Sequence, residues 1–419
     1  MSNVVPDGWK DLKFGDLAQM YKGLTYATSN YSDKENGFPF ITLKCIKKNG
    51  GFSEVGLKHY EGKYKPSHVV EEGDVVFANT DLTRNGDVVG SPLQVPYIAS
   101  DRPNLISMDL SKVIPKDGVD KGFIYYWLKT PKVKRYMINF SAGSTVLHLN
   151  TGSVPSIPVL TPPLPEQQKI AAILSSVDDV IEKTQAQINK LKDLKVGMMQ
   201  ELLTKGIGHT EFKDSPVGFI PSDWDCLLLD KVAKRGSGHT PDKKKPEYWN
   251  DGVKWISLTD SYQLDQLYIS NTEKKISQLG INNSSAVIHP AGTVVLSRDA
   301  GIGKSAITTE AMAVSQHFIA WVCRDKLDNH FLYYLMQLWK PQFEAIAMGS
   351  TIKTIGLPYF KKLKIPVPTI EEQSKIAKAI GSVDNSIFML QKKNESNKNS
   401  KKALMQDLLT GKVRVKVDS

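Results

Sequence analysis

The feature that most constrains this chain is a long segment that occurs twice. Residues 166–204 align without gaps to residues 372–410, 206 positions later, with 17 identities in 39 pairs. In both copies apolar residues recur at alternating steps of four and three, which is typical of a helix that buries one seam against another helix. Pro165 suits a helix start, and Gly206 and Gly411 suit helix ends. The sequence therefore predicts two long helices of equal length.

We predict that the two helices pair through these seams. Residues that would form the pairing faces are Ile170, Leu174, Val177 and Ile181 in the first helix and Ile376, Ile380, Val383 and Ile387 in the second. About 38 helical residues extend about 57 Å. The second helix must run back along the first if the seams are to meet, so the pair is expected to be antiparallel. Ile170 would then lie near Leu408 or Leu409, and Ile376 near Leu202 or Leu203.

The regions that precede the two helices also correspond. PDGW at residues 6–9 matches PSDW at 221–224, and EGDVVF at 72–77 parallels AGTVVL at 291–296. Short β-branched runs between Gly, Pro and Asn clusters predict strands, with one helix around 121–137 and its counterpart around 329–347. The predicted fold class is α+β, a tandem repeat with pseudo-twofold symmetry in which two similar domains are separated by two long antiparallel coiled-coil helices. The predicted bounds are 1–160 for the first domain, 161–206 for the first helix, 207–366 for the second domain and 367–419 for the second helix.

Charge and composition narrow the class of partner. The 419 residues include 54 Lys plus Arg against 44 acids, a net charge of +10 that favours a polyanion. Three scattered cysteines are too few for a disulfide framework and predict a reducing compartment. No apolar run approaches the length of a membrane span, and the first residues contain no apolar signal core. We therefore expect a cytoplasmic protein with no membrane partner.

Two short motifs suggest enzymes but lack the residues that the chemistry needs. GIGKS at 301–305 has Arg298 where a phosphate-binding P-loop requires its first glycine, so a hairpin turn is the favoured interpretation. TPPL at 161–164 lacks the amide or carboxylate and the aromatic ring of an amino-methyltransferase loop. The eight histidines have no metal-ligand spacing. We predict no catalytic residue, no metal and no cofactor bound by this chain.

Six segments combine basic, amide, hydroxyl and aromatic side chains, the types that contact DNA phosphates and base edges. They are residues 21–31, 43–49 and 79–86 in the first domain and 234–249, 257–263 and 297–305 in the second. The segments fall at similar places in both domains but differ in sequence, as two readers of different DNA sequences would require. The candidate DNA-binding residues are Lys22, Thr25, Tyr26, Lys44, Lys47, Arg84, Asn85, Arg235, Ser237, His239, Thr240, Lys243, Arg298, Lys304 and Lys353.

The repeated helices and the second domain resemble the DNA-specificity subunit of Type I restriction-modification enzymes. The resemblance rests on PLPEQQKIAAILSSVDDVI, on IEEQSKIAKAIGSVDNSI, on residues 238–260, and on GTVVLSRDAGIGKSAI; it extends over essentially the whole chain and is weaker in the first domain. It implies a bipartite target in double-stranded DNA, with one half read by each domain. It also implies a complex with two modification subunits that use S-adenosylmethionine to methylate adenine, and with motor-endonuclease subunits that use ATP and Mg²⁺.

Other functions stay open at this stage. The chain could be a coiled-coil scaffold whose two heads bind proteins or RNA, or a nuclease or NTPase built around GIGKS. It could also be the specificity subunit of another restriction type.

Overall fold

A computed structural model describes residues 5–48, 51–83, 85–349 and 353–416. The chain divides into two compact units. Unit 1 comprises Met1–Thr184 and Lys393–Ser419, and unit 2 comprises Gln185–Lys392. Within the described ranges, no helix is long and apolar enough to cross a membrane.

Unit 1 opens with a β-rich domain and ends in a long helix. Its strands are β1 (Lys10–Lys13), β2 (Ala18–Lys22), β3 (Tyr31–Ser32), β4 (Phe38–Ile41), β5 (Lys58–Tyr60), β6 (Val69–Val70), β7 (Val75–Ala78), β8 (Thr80–Asp81), β9 (Pro92–Gln94), β10 (Asn104–Ile106), β11 (Leu110–Pro115), β12 (Ser141–Ala142), β13 (Leu147–Leu149) and β14 (Pro158–Thr161). Its helices are α1 (Phe14–Leu17), α2 (Lys121–Leu128), α3 (Pro131–Asn139) and the first half of α4 (Leu164–Lys205).

Unit 2 follows the same plan. Its strands are β15 (Phe212–Ser215), β16 (Gly218–Pro221), β17 (Asp225–Leu228), β18 (Ala233–Ser237), β19 (Trp249–Ile256), β20 (Tyr268–Ile269), β21 (Lys274–Ile276), β22 (Ile288–His289), β23 (Val294–Ser297), β24 (Ser305–Thr308), β25 (Met312–Val314), β26 (Phe318–Cys323) and β27 (Lys364–Val367). Its helices, after the second half of α4, are α5 (Leu229–Val232), α6 (Gln278–Asn282), α7 (Asn329–Leu338), α8 (Lys340–Ile346), α9 (Leu357–Lys361) and α10 (Ile370–Leu408), whose last part belongs to unit 1.

The two units share the topology of their main sheets, although the sheet β12-β13-β8 belongs to unit 1 and the sheet β15-β16 to unit 2. In unit 1 the order β2-β11-β7-β9 forms an antiparallel sheet, and in unit 2 the order β18-β26-β23-β24 forms its counterpart, with β20 added at the edge in parallel. A second sheet contains one parallel pair in each unit, β4 with β10 and β19 with β25. A two-stranded sheet, β1 with β14 or β17 with β27, connects the start of each domain to its end. The repeat detected in the helices therefore extends to the domains, and the α+β tandem fold is confirmed.

The helix predicted before each long helix is divided in two. In unit 1 the sequence predicts a single helix around 121–137, but α2 ends at Leu128 and α3 starts at Pro131. Thr130 caps α3 by accepting from the Val133 N–H, and Pro131 fits the first turn because its missing N–H would have no helical partner. In unit 2, α7 ends at Leu338 and α8 starts at Lys340, with Pro341 as its second residue. Proline thus divides the predicted helix in both units.

Within each unit, the start of one long helix packs beside the end of the other. In unit 1, Ile170 and Leu174 of α4 lie in one buried cluster with Leu408 of α10 and with Leu409. In unit 2, Ile376 and Ile380 of α10 lie in one buried cluster with Met199 and Leu203 of α4. The helices are therefore antiparallel in both units. The starts of both seams also pack into the domain cores, because these clusters include residues of β2, β7 and β11 in unit 1 and of β18, β23 and β26 in unit 2.

The rest of the predicted pairing residues lie along the same faces. In unit 2, Val383 and Ile387 form a buried cluster with Ile188 of α4. In unit 1, Val177 and Ile181 are half-buried. α4 ends at Lys205 and α10 ends at Leu408, close to the glycines that the sequence marks as helix ends. Gly206 and Gly411 have φ of 69° and 70°, a conformation that few residues other than glycine adopt.

Candidate DNA-binding loops and the domain–helix junctions

The structure brings together the three candidate segments of unit 1. Residues 23–26 follow β2 and lie beside the turn at 106–109, because the Leu24 N–H donates to Ile106 O at 2.8 Å and the Met108 N–H donates to Leu24 O at 2.8 Å. That turn also binds the segment that begins at Asn79, through the Asn79 N–H and Asp109 O at 2.6 Å. Lys48 Nζ joins the segment at 43–48 to Asp87 Oδ2 at 2.8 Å. The three segments therefore meet at one end of the domain.

A buried carboxylate holds the residues between β7 and β9, which we call connection 1 (residues 79–91). Asp81 is fully buried and accepts from the Thr83 N–H at 2.7 Å, from Thr83 Oγ1 at 2.7 Å, from the Val89 N–H at 2.9 Å and from the Val88 N–H. Burial raises the pKa of Asp81, but these hydrogen bonds outweigh it and the pKa is lowered. The carboxylate is therefore charged at neutral pH and fixes the base of connection 1.

In unit 2 the equivalent residues between β23 and β24 form connection 2 (residues 298–304). Asp299 accepts from His317 Nδ1 at 2.6 Å and from Thr354 Oγ1. Gln316 beside His317 accepts from Thr240 Oγ1, and the His239 N–H donates to Val314 O at 3.1 Å. Segment 237–240, connection 2 and the strand end at 314–317 thus meet at one end of the unit 2 domain, as their counterparts do in unit 1.

The GIGKS motif comprises the end of connection 2 and the first residue of β24, and it forms a hairpin turn. β23 and β24 pair antiparallel on either side of it, and the Lys304 N–H donates to Gly301 O at 3.2 Å. A P-loop passes from a strand into a helix, whereas this segment passes from strand to strand. The favoured sequence interpretation of GIGKS as a turn is confirmed.

The candidate residues differ in how free their side chains are. Those exposed to solvent are Lys22, Thr25, Lys44, Lys47, Asn85, Ser237, His239, Lys243 and Lys353. Those engaged within the unit are Tyr26, Arg235, Thr240, Arg298 and Lys304. Arg84 lies outside the residues that the structure describes.

The engaged residues have partners that sequence patterns do not reveal. Tyr26 packs between Tyr31 and Phe40, with ring centroids 5.4 and 5.0 Å away, and burial raises its pKa. Arg235 Nε contacts both carboxylate oxygens of Asp230, at 3.0 and 3.1 Å. Arg298 Nε donates to Ile355 O at 3.1 Å, and Lys304 Nζ donates to Ser261 O at 3.2 Å. These residues support the shape of the loops, so replacing them would change the loop structure.

Each domain is joined to its long helix by a tryptophan–glutamate contact. In unit 1, Trp9 Nε1 donates to Glu166 Oε2 at 3.0 Å, and Arg414 donates to both oxygens of Glu166 at 2.8 Å. In unit 2, Trp224 Nε1 donates to Glu372 Oε2 at 3.1 Å, and His209 Nε2 lies 2.8 Å from Glu372 Oε1. A basic residue that follows the end of the other long helix thus completes each contact. The tryptophans are the PDGW and PSDW residues that aligned in the sequence.

The two equivalent carboxylates differ in the basic residue they meet. Burial raises the pKa of Glu166, but the hydrogen bonds from Arg414 and Trp9 outweigh it, and the net pKa is lowered. Because the pKa of Glu166 is lower in the folded state than in the unfolded state, its carboxylate stabilises the fold at pH values above the unfolded-state pKa. This stabilisation is lost as the pH falls through the folded-state pKa. Arginine keeps its charge throughout that range.

A second junction uses a carboxylate, a lysine and a buried tyrosine. In unit 1, Asp178 of α4 accepts from Tyr126 of α2 at 3.0 Å and from Lys401 of α10 at 2.5 and 2.6 Å. In unit 2, Asp384 of α10 accepts from Tyr334 of α7 at 3.1 Å and from Lys195 of α4 at 2.6 Å. Both lysines also lie over the tyrosine rings, 5.2 and 5.5 Å from the centroids. Each network joins a domain to both long helices.

A glutamine completes the correspondence. Gln167 Oε1 accepts from the Asp120 N–H at 2.9 Å, and Gln373 Oε1 accepts from the Asp328 N–H at 2.8 Å. Asp120 and Asp328 in turn cap α2 and α7. Several residues that are identical in the two helix copies are therefore ones that hold the domains, whereas the candidate loops differ between the units.

Comparison with known proteins identifies the family. The chain matches, over residues 6–193 and again over residues 221–398, the sequence model of the family described as the Type I restriction modification DNA specificity domain. The two matches together cover most of the chain, so the protein belongs to this family. It is a specificity-subunit protein of a restriction-modification system with tandem recognition domains, and specificity subunits are the non-catalytic members of such systems.

Individual relatives agree with this assignment. The specificity subunit of the Type I restriction enzyme MjaVIII of Methanocaldococcus jannaschii is 28% identical over 98% of this chain and 94% of its own length. The fold is similar to that of the Type I restriction-modification S subunit of M. genitalium, with a TM-score of 0.62 at 12% identity over 97% of this chain and 98% of the other. A chain from a structure on complex assembly and conformational transition of the type I R-M system gives a TM-score of 0.57 at 18% identity, over 98% and 100% of the two chains.

Proposed function

We propose that the two domains each read one half of a bipartite target in double-stranded DNA, and that α4 and α10 set the distance between the halves. The observation that carries this proposal is the contrast between junctions and loops. The same tryptophan, glutamine, aspartate, lysine and tyrosine contacts occur in both units, whereas the exposed loop residues differ. A protein that must hold two domains alike and recognise two sequences needs this combination.

The exposed residues have the chemistry of DNA contacts. Lys44, Lys47 and Asn85 belong to the loops at one end of the unit 1 domain, and Ser237, His239 and Lys353 belong to the loops of unit 2. Lysine neutralises phosphates, and amide and hydroxyl groups bind base edges. We assign direct DNA contact to these exposed residues together with Lys22, Thr25 and Lys243. Tyr26, Arg235, Thr240, Arg298 and Lys304 act mainly by shaping the loops.

The catalytic steps of the system belong to other chains. We propose that the long helices dock two modification subunits, which use S-adenosylmethionine to methylate adenine, and that motor-endonuclease subunits use ATP and Mg²⁺. The complex would act in the cytoplasm. The fold shared with the M. genitalium S subunit, and with a chain from a structure on assembly of the type I R-M system, supports a protein that works within a complex.

Removing an exposed lysine from each set of loops tests the DNA proposal. Lys47→Ala and Lys243→Ala are each expected to weaken DNA binding and to reduce the slope of log affinity against log salt by about one if the lysine contacts a phosphate. A base contact would instead lose about 1–3 kcal/mol and relax one target position in one half-site. The measurement is binding of labelled duplexes by the full chain in complex with its modification subunits, over a series of salt concentrations.

Matched controls are available in the two-stranded sheets. Lys10 of β1 and Lys364 of β27 are exposed lysines outside the candidate loops. Lys10→Ala and Lys364→Ala should leave affinity and salt slope unchanged. If the loop variants and the control variants lose the same DNA affinity, the loss comes from the lower net charge and not from the loops. Preferred binding of RNA or of a protein over duplex DNA would favour the scaffold interpretation instead.

The spacing role of the helices predicts a change in the target itself. The interval between aspartate and lysine is the same in both helices, Asp178 to Lys195 and Asp384 to Lys401, which is about 25 Å of helix. Inserting four residues after Gln187 is expected to lengthen the spacer of the preferred target while both half-sites keep their sequences. Seven inserted residues preserve the heptad phase and should be tolerated at least as well.

The preferred target of each insertion variant can be read by selecting duplexes from libraries with variable spacers. Because α10 carries the same interval, a second pair of variants with the same insertion after Lys393 tests whether both helices must change together. If every variant still prefers the original spacer, the helices do not set the distance. Loss of all binding in the single-helix variants with recovery in the paired variants would contradict the spacer change expected for the insertion after Gln187 alone, and would assign the distance to both helices together.

A further inference from the structure

Connection 1 and connection 2 both carry candidate DNA-binding residues, and the last residues of each connection contact a helix of the same unit. Connection 1 has Gly90 and connection 2 has Gly303 two residues before the next strand, with φ of 69° and 78°. A Cβ on Gly90 would lie 2.3 Å from Met137 Cγ of α3, and a Cβ on Gly303 would lie 2.8 Å from Lys340 Cγ of α8. The end of each connection is therefore pressed against α3 or α8.

In unit 1 a lysine of α3 binds connection 1 through its backbone. Lys134 Nζ donates to Asp87 O at 3.1 Å, to Val89 O at 2.6 Å and to Ser91 Oγ at 3.0 Å. These acceptors lie on the side of the connection that returns to β9. Asp81 also accepts from the N–H groups of Val88 and Val89. The returning half of connection 1 is thus held by both an anion and a cation.

In unit 2 a lysine of α8 acts on connection 2 through a carboxylate. Lys340 Nζ forms an ion pair with Asp265, whose Oδ1 accepts from the Ser305 N–H at 3.3 Å and from Gln337 Nε2 at 2.9 Å. Gln337 Nε2 also donates to Ser305 Oγ at 2.8 Å. Asp265 has φ of 65°, a conformation that costs free energy for a residue other than glycine. Ser305 directly follows Lys304, so the network holds the end of connection 2.

The polar character of these contacts is informative. Burial lowers the pKa of Lys134 to about 8, although the Asp81 and Asp87 carboxylates act in the opposite direction. Holding an ammonium group out of water is unfavourable, and a methionine such as the neighbouring Met137 would fill the space without that cost. What the amino group adds is direction, because it binds particular carbonyl oxygens and so selects one backbone conformation.

We propose that Lys134 and Lys340 are positioning residues for sequence recognition. Each fixes the strand connection of its own unit: connection 1 presents Asn85, and connection 2 holds Thr354, the neighbour of the exposed Lys353, through Asp299. This inference rests on the proposed function. It extends it by naming side chains that determine specificity from α3 and α8 without being candidates for DNA contact themselves. Loss of either amino group should broaden the sequences accepted at one half-site only.

The test is selection of preferred sequences from a random duplex library by the full chain in complex with its modification subunits. Lys134→Met is expected to lower base discrimination at one half-site by about tenfold, the effect of one lost base contact, and to leave the other half-site unchanged. Lys340→Met should produce the reciprocal result. Lys134→Arg retains donors and charge and should restore discrimination. Lys132→Met, an exposed lysine on the same helix, is the matched control and should change neither half-site.

The unchanged half-site reports that the variant chain is folded and assembled. If Lys134→Met and Lys340→Met retain full base discrimination at both half-sites while Lys47→Ala or Lys243→Ala alters DNA binding, the positioning role is overturned and the proposed DNA-binding function stands. Equal broadening of both half-sites by one variant would also overturn it, because that result reports a general loss of structure. A wild-type complex with no preferred sequence overturns the proposed function and this inference together.

Discussion

Exchanging the first domain for that of another specificity subunit is expected to change one half of the DNA target completely and to leave the other half unaltered. Each unit contains its own sheets, its own loops and its own hydrophobic clusters. Each mismatched base pair costs about 1–3 kcal/mol, so three mismatched pairs in one half-site would lose at least about a hundredfold in affinity. Sequencing of the methylated sites in cells that carry the hybrid complex measures the result.

The junction contacts decide where the exchange must be made. Residues 5–161 include both β1 and β14, which pair with each other, so the two-stranded sheet is transferred whole. The donor must supply counterparts of Trp9, Asp120 and Tyr126, which contact Glu166, Gln167 and Asp178 of α4. A second hybrid that lacks only the Trp9 counterpart separates failed docking from altered reading. A hybrid that changes both half-sites would rule out independent reading.

Removing Asp178 is expected to lower the free energy of unfolding of unit 1 by about 3 kcal/mol, because it leaves a buried cation uncompensated. Lys401 is 8% exposed, and Asp178 also accepts from the buried Tyr126. Burial lowers the pKa of Lys401, so the ammonium depends on its partner. Urea unfolding of the full chain with Asp178→Ala measures the loss.

A double-mutant cycle separates the ion pair from general damage. Lys401→Met removes the cation but retains much of the packing, so Asp178→Ala combined with Lys401→Met should lose less than the sum of the two single variants. Asp179→Ala, at the exposed neighbour on α4, is the matched control and should change the stability little. A loss for Asp178→Ala no larger than that control would mean that the network does not hold the helix to the domain.

The long helices are the most predictable part of the fold. Their boundaries follow from Pro165, Gly206 and Gly411, which act through local backbone geometry, and α4 and α10 begin and end within a few residues of the predicted positions. The division of α2 from α3 is not predicted, although Pro131 marks it, because apolar residues on both sides favour one continuous helix. Pro131 is itself a local sequence signal for this boundary, because proline interrupts a continuous helix.

The candidate loops are predictable as regions but not residue by residue. Composition directs attention to segments around Lys47 and His239, and the structure places these in loop clusters at one end of each domain. Composition does not show that Arg298 and Lys304 bind backbone carbonyls within the unit. Nor does it identify Lys134 and Lys340, because Val89 and Asp265, which they bind, lie 45 and 75 positions away in sequence. The pattern around both lysines is that of an ordinary amphipathic helix.

By itself the sequence determined the repeat, the helical periodicity and the basic charge, since these depend on neighbours along the chain or on simple sums. Only the tertiary structure decided which of the charged side chains are exposed to solvent and which are engaged within the protein. The tertiary structure also explains why the second helix repeats four residues of the first, namely Glu166, Gln167, Asp178 and Lys195. Their partners are residues distant in sequence, and a hydrogen bond requires a donor and an acceptor about 3 Å apart in space whatever their separation along the chain.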